Sequence, residues 1–223
     1  MTMLIVRPEG ALSSILVSSA GRVWVDAGRL CVDFAMTGPW PEAGLAAARW
    51  EGVHEPSDLA DWFTACELEL GQLEVGPSDL ASALELRAGL WGLTRAAIEG
   101  RPRSRDGVAT VNSYARATSL APQLGSPGRR WSSPTAVQAL ASIARDAVEL
   151  HGDPVQLRRL RECASDDCPR VFFDASRPGT RRWCDPVRCG DRQRARAYRR
   201  SRTHGPARTD HQPNDHPDKE VAR

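Results

Sequence analysis

Four cysteines in two matched pairs constrain this chain more than any other feature: Cys163-x4-Cys168 and Cys184-x4-Cys189, with fifteen residues between the pairs. Four thiolates complete the tetrahedral shell of a zinc ion and leave no open position for water, so such an ion folds a chain rather than activating a nucleophile. The surrounding residues suit that task. Asp166-Asp167 and Pro169 make a turn between the first two sulfurs, and Val171-Phe172-Phe173 reads as a short strand. Ser176-Arg177-Pro178-Gly179 is a turn signal, which predicts a returning strand over 180–184, a second knuckle over 184–189 and a helix over about 190–202. Knuckle, hairpin, knuckle and helix make a treble-clef-like arrangement. A segment this short buries little apolar surface, and a structural zinc contributes roughly 10–16 kcal/mol in comparable peptides. The alternatives are two disulfides or two unrelated pairs of buried thiols. Matched spacing, the aromatic hairpin and the lack of a secretory leader favour zinc.

Charge is concentrated in the same stretch. Residues 158–202 hold 14 arginines and 6 acidic residues, a net +8. The whole chain has 30 basic and 28 acidic residues, so the remainder has 16 and 22, a net −6. On the expected C-terminal helix Arg192, Arg196 and Arg199 recur at i, i+4 and i+7 and share one face. Ala195 and Tyr198 occupy another, suited to packing on the finger. Arg194 and Arg200 flank the basic stripe, and Arg181-Arg182 add charge from the hairpin. Such a cluster neutralises phosphates and releases counterions, and arginine can also read guanine edges in a major groove. The competing interpretation is a solvated basic face, or one that docks the acidic body of a second subunit. The polarity of the chain favours nucleic acid.

These residues also carry a resemblance. Cys163-x4-Cys168, Val171-Phe172-Phe173-Asp174-x-Ser176, Arg181-Arg182-Trp183-Cys184 and Cys189-Gly190-Asp191-Arg192 resemble the CGNR zinc finger. That family usually closes with Cys-Gly-Asn-Arg and has Ser-Met after the third cysteine. Here Asp191 stands for the asparagine and Asp185-Pro186 for Ser-Met. The ligand pattern is intact, so the departures bear on nucleic-acid contacts. An aspartate repels phosphate unless it caps the helix or pairs with an arginine.

Upstream, residues 1–20 lack a basic start, a long apolar run and a cleavage site, so they read as an N-terminal extension rather than a signal peptide. No segment approaches the roughly 20 apolar residues of a membrane span. A cytoplasmic setting follows, and it keeps thiols reduced. Cys31 and Cys66 lie within apolar patterns and read as core thiols. Arg22-Val23-Trp24-Val25 and Leu30-Cys31-Val32-Asp33-Phe34 alternate like two strands of a hairpin across Asp26-Ala27-Gly28. Residues 38–55 are rich in Pro, Gly and Ala and read as a loop or short helix.

Helical periodicity begins at Ser57, where Leu59, Trp62, Phe63, Cys66, Leu70 and Leu73 share a stripe. Gly76-Pro77-Ser78-Asp79 ends that helix and caps a second, which runs to about Glu99 and buries Leu80, Leu84, Leu90, Trp91 and Ile98, with Gly89 and Gly92 allowing close approach. Asp106-Gly107 starts a shorter helix through Val108, Val111 and Ala115. Residues 120–133 read as a loop or loose hairpin. Ser133-Pro134 then caps a helix whose buried side is Val137, Leu140, Ala144, Val148 and His151. Gly152-Asp153-Pro154 marks a boundary, beyond which Leu157 and Leu160 dock the finger on the bundle.

This body is similar to the ABATE domain, through Leu30-Cys31-Val32-Asp33-Phe34-Ala35-Met36-Thr37, Asp58-Leu59-Ala60-Asp61-Trp62, Leu86-Arg87 and Val111-Asn112. Met36 stands where the family's Leu-Asp-Phe-x-Asn-Thr motif has asparagine. The ABATE domain precedes the CGNR finger in a family assigned to stress-induced transcription regulation. The resemblance implies a DNA-binding regulator whose N-terminal domain senses a small molecule or forms a homodimer. By residue match, Asp33, Thr37, Arg87 and Asn112 are the candidates for a ligand pocket, set against the simpler reading that they make buried hydrogen bonds and caps. Arg87 needs an acceptor either way, and Asp33 is a candidate.

The expected architecture is a mostly α-helical bundle with a small N-terminal β-hairpin over 21–153, a treble-clef-like zinc finger over 158–202, and a disordered His/Pro/Asp-rich tail over 203–223. Hydrolase, P-loop and zincin signatures are missing from the chain, so an enzyme is not expected. DNA is the favoured partner, with RNA or an acidic protein as the alternatives.

Overall fold

The computed structural model describes residues 15–18, 21–24, 26–38, 51–126, 128–166 and 168–203. The expectations for 1–14, most of 38–55 and the tail beyond 203 lie outside these residues. The element order is β1 (Ile15–Ser18), β2 (Gly21–Trp24), α1 (Leu30–Ala35), α2 (Pro56–Ala65), α3 (Pro77–Ile98), α4 (Arg105–Ala115), β3 (Pro122–Gly125), β4 (Gly128–Trp131), α5 (Ala136–Gly152), α6 (Pro154–Leu157), β5 (Leu160–Glu162), β6 (Val171–Phe173), a π-turn (Pro186–Gly190) and α7 (Asp191–Thr203). The strands form three separate antiparallel pairs, β1-β2, β3-β4 and β5-β6. The protein is mostly helical, with a small cysteine cluster at its C-terminal end. No helix among the described residues is long and apolar enough to cross a membrane.

The N-terminal hairpin differs from expectation. β2 pairs with β1, upstream of it, with Ile15 opposite Trp24 and Ser18 opposite Gly21. Leu30-Cys31-Val32-Asp33-Phe34 is the helix α1, and all six of its residues are buried. A helix surrounded by protein shows no amphipathic period, and burial overrides the β preference of its valine and phenylalanine. Its N-terminus is fixed from two sides. Asp33 accepts the Ala27 N–H at 2.5 Å, and Asp146 of α5 accepts the Cys31 N–H at 2.9 Å.

α3 is the long central helix, and its bounds match the sequence signals. It buries Ala83, Leu86, Leu90, Trp91 and Leu93, whereas Leu80, Leu84 and Ile98 are half-buried. Gly89 meets α4, since a Cβ there would lie 3.2 Å from Thr110; a Cβ at Gly92 would meet nothing. α2 ends at Ala65, earlier than its apolar stripe, because Glu69 and Gly71 turn the chain with φ of 53° and 70°. Leu70 is still buried, reaching the core from the turn. α5 is capped by Thr135, whose hydroxyl accepts the Gln138 N–H, one residue after the expected Ser133-Pro134. Of its expected buried side, Leu140, Ala144 and His151 are buried and the two valines are not. Val137 and Val148 are 55% and 44% exposed, and Ala139, Ile143, Ala144, Ala147 and Leu150 face inward. Alanines share this interface with Leu140, Ile143 and Leu150, and a search for bulky side chains passes over them.

β5 and β6 belong to the same apolar core as the helices. Val171 and Phe172 are fully buried, and Phe173 is 9% exposed. The Phe173 N–H donates to Ala27 O at 2.6 Å, and the Val171 N–H reaches Met36 Sδ at 3.4 Å. Gly28 makes this docking possible: it has φ +97°, and a Cβ there would lie 2.3 Å from Phe173 O. Arg29 adds a clasp, with Nε 2.6 Å from Asp146 and its guanidinium 5.9 Å from the Phe173 ring centre.

Candidate metal centre and arginine helix

The partner of β6 is β5, with Leu160 opposite Phe173 and Glu162 opposite Val171. The expected returning strand over 180–184 does not form. That segment instead crosses the first knuckle, where the Ala164 N–H donates to Arg182 O at 2.8 Å. Cys163 follows β5 directly and donates its N–H to Arg170 O at 2.8 Å. Cys184 lies on the crossing segment, and Cys189 lies in the π-turn that leads into α7. Asp185 caps that turn, accepting the Val187 and Arg188 N–H groups at 2.9 Å each, and Pro186 opens it. The Asp185-Pro186 departure therefore has a local role.

The structure brings all four predicted cysteines together. Their sulfurs lie within 4.8 Å of one another, with Cys168 to Cys184 at 3.6 Å and Cys184 to Cys189 at 3.7 Å. Sulfurs about 2.3 Å from a tetrahedral ion would be about 3.8 Å apart, so the donor set fits a metal of that kind. All six cysteines are free thiols. The backbone N–H of Cys184 points at Cys163 Sγ from 3.4 Å, the kind of N–H···S contact that stabilises a thiolate.

The four thiols shift one another's proton affinities. Hydrogen bonds from Cys168 and Cys184 hold the Cys163 thiol down at about 2. The same hydrogen bonding to Cys163 raises Cys168, and it pushes Cys184 up to about 12. Burial, followed by the charge of Cys163, raises Cys189. Four thiolates this close repel one another, and a dication among them would offset that repulsion. Cys31 and Cys66 lie apart from the cluster in the core, where burial raises both thiols, Cys66 to about 12.

Two arginines acquire roles that spacing does not reveal. Arg170 is 3% exposed, and its charge favours the Cys184 thiolate. It sits between a proline and the apolar strand, and nothing in the local pattern singles it out. Arg181 is half-buried and turned inward: Nε donates to Trp183 O at 2.8 Å, Nη2 donates to Cys184 O, and the guanidinium lies 4.9 Å from the Phe172 ring centre. It braces the loop that carries the third sulfur. Arg182 is exposed and lies 5.2 Å over Trp183.

α7 leaves the cluster with most of its surface in solvent. Arg192, Arg194, Arg199, Arg200 and Arg202 are exposed, and Arg196 is half-buried. Ala195 and Tyr198 do not pack on the finger; both are exposed, Tyr198 at 63%. The packed side is polar, with Gln193 Nε2 donating to Ser165 Oγ at 2.9 Å. Asp191 forms an ion pair with Arg194, so its charge is compensated on the same helix. Arg194 also lies 5.9 Å from the Trp183 ring centre.

Residues 28–154 match the family described as "Putative stress-induced transcription regulator", ABATE, and residues 159–202 match the CGNR zinc finger. The first match alone spans more than half of the 223 residues. The chain belongs to the ABATE family. Comparison with curated proteins finds no match.

Within the ABATE region, the four pocket candidates fall in different places. Asp33 holds the Ala27 N–H, and the Thr37 hydroxyl donates to Phe34 O at 2.8 Å. Arg87 forms a two-pronged pair with Glu51, at 2.7 and 2.8 Å, over Gly38. Glu51 comes from the Pro/Gly/Ala-rich segment, where no helical period marks it as an acceptor. Asn112 lies on α4 and lines a separate cleft with Arg103 and His151.

Proposed function

We propose that the resident ion is Zn2+ and that the protein is a non-enzymatic, DNA-binding transcription regulator of the cytoplasm. In this reading the ABATE body senses a small molecule or forms a homodimer. The observation that carries it is the exposed arginine helix fixed directly to a closed four-sulfur site. Four cysteines leave no coordination position for a substrate, so the ion's contribution is to hold the π-turn and α7 in place. At about 1.5 Å per residue, a helix of this length runs about 20 Å, enough to lie along a DNA groove. Arg192, Arg194, Arg199 and Arg200 present guanidinium groups to phosphate from its exposed sides, with Arg196 at the edge of the packed side and Arg182 adjoining from the loop. Arg181 supports the site from within.

The test is fluorescence anisotropy of labelled duplex DNA, titrated with zinc-loaded protein at several salt concentrations. Affinity should fall steeply with salt, by about 0.9 in log–log slope for each phosphate contact, and vanish on chelation. Tighter binding to single-stranded or structured RNA would reassign the partner. No salt-sensitive binding to either polymer would leave α7 as a docking face for an acidic protein.

A further inference from the structure

The cleft between α4 and α5 is built differently from the rest of the body surface. A cavity of about 220 Å³ is walled by Leu93, Val111 and Ala147, with His151 at one side and Arg103 and Asn112 at its mouth. A second cavity of about 440 Å³ adjoins it, shares Arg103, Val108 and Asn112, and adds Arg105 and Arg116. Three guanidinium groups therefore line the outer cavity along α4, and no carboxylate lines either cavity. Arg105 and Arg116 form no ion pair among the described residues, while Arg103 donates to the carbonyl of His151. His151 is 6% exposed, and its buried Nδ1 has no hydrogen-bond partner. The ring also lines the inner cavity, so a molecule seated there lies against it. Burial, with Arg103 nearby, pushes the imidazole down to about 4, so the ring is neutral at pH 7 and suits an apolar neighbour better than a charged one would.

We propose that this cleft is a binding site for a small organic carboxylate with an apolar body, of about the size of benzoate. The apolar body occupies the inner cavity against Leu93, Val111 and Ala147 and reaches the His151 ring. The carboxylate sits at the mouth, where Arg103 and Asn112 can donate to it and Arg105 and Arg116 add attraction. The inner cavity is smaller than the roughly 300–1,000 Å³ of drug-sized sites, which restricts it to compact molecules. An apolar chamber behind a cationic rim selects against both halves taken singly: a neutral aromatic lacks the charge, and inorganic phosphate lacks the body. The site depends on the proposed regulatory function only for what its occupancy would control, and binding can be measured without DNA.

The experiment is an NMR titration of full-length, zinc-loaded, histidine-labelled protein with benzoate, benzyl alcohol and inorganic phosphate at constant ionic strength, following the His151 ring resonance. Benzoate should shift that resonance saturably, with about tenfold or greater preference over benzyl alcohol and over phosphate, as expected for one charged hydrogen-bonding group and one buried apolar group. The double variant Arg105→Gln/Arg116→Gln keeps the Arg103–His151 contact and should weaken benzoate several-fold with an unchanged circular dichroism spectrum. An unmoved His151 resonance, equal affinity for benzyl alcohol or for phosphate, or a folded double variant with unaltered benzoate affinity would each overturn the proposal.

Discussion

The two halves of the C-terminal segment 159–202 are held by different forces. The first half, β5 and β6, lies in the same core as the helical body, with Phe172 fully buried and Phe173 bonded to Ala27. The second half, from Cys184 through α7, adds few apolar residues to that core beyond its two cysteines. Apolar burial thus fixes where the hairpin sits, whereas the π-turn and α7 join the rest through the four-sulfur cluster and the Gln193–Ser165 hydrogen bond. The difference teaches that the small domain need not be stable by itself. Its hairpin borrows the body's core, and a metal bound by the four sulfurs would have only the knuckles and α7 to organise. Residues on either side of α1, Ala27 and Met36, bond directly to β6.

The strongest way to break this contrast is Cys184→Ser. It should abolish stoichiometric metal binding, removing a contribution of the order of 10 kcal/mol, and α7 should lose its amide-exchange protection while α3 and α5 keep theirs. Loss of protection throughout the protein would show that the metal also holds the body. Phe172→Ala tests the other half. Deleting a fully buried phenyl group should lower the stability of body and hairpin together by about 3–5 kcal/mol, with the metal retained at one per chain, as read by denaturant unfolding and metal analysis. Metal loss without body destabilisation would contradict the shared core.

A third test uses pH. His151 has a folded-state value of about 4, below its ordinary 6.5, so the unfolded chain takes up the proton first. Stability is therefore complete above pH 6.5, declines as pH falls towards 4, by up to about 3 kcal/mol, and levels off below that. Asp174 adds loss at lower pH. Burial opposes its ionisation, but hydrogen bonds from the Ser176 hydroxyl and from the Arg181 and Ser176 N–H groups outweigh burial and hold its carboxyl below the usual range. Unfolding of His151→Gln across this window should show a flatter acid limb; an unchanged limb would place the lost protons elsewhere. The smallest expected effect is on the surface. Arg196→Ala with Arg199→Ala should leave stability nearly unchanged and reduce the salt slope of DNA binding by up to about two units. An unchanged slope would mean that neither side chain meets phosphate.

Much of this arrangement is legible in the sequence because the signals are local. Paired cysteines, a proline and an aspartate opening α3, and arginines at helical spacing each follow from near neighbours. What escapes is decided by distant contacts. α1 resembles a strand until its burial on every side is known. Leu160 reads as a residue that docks the finger on the bundle, although Leu160-Arg161-Glu162 is the strand that pairs with the aromatic strand. Arg181 belongs to the same run of charge as Arg182, and only the carbonyls of Trp183 and Cys184 separate their roles. The Glu51–Arg87 pair joins segments 36 residues apart, a distance over which no periodicity extends.

The claim on which all of this rests is that four thiolates close around one metal ion. Metal analysis of reduced, purified protein, combined with counting of reactive thiols before and after chelation, tests it most directly. The account predicts one zinc per chain, with the thiols of Cys163, Cys168, Cys184 and Cys189 becoming reactive only as the metal leaves. Protein that holds no metal and exposes those thiols from the start, while α7 stays ordered, would contradict it.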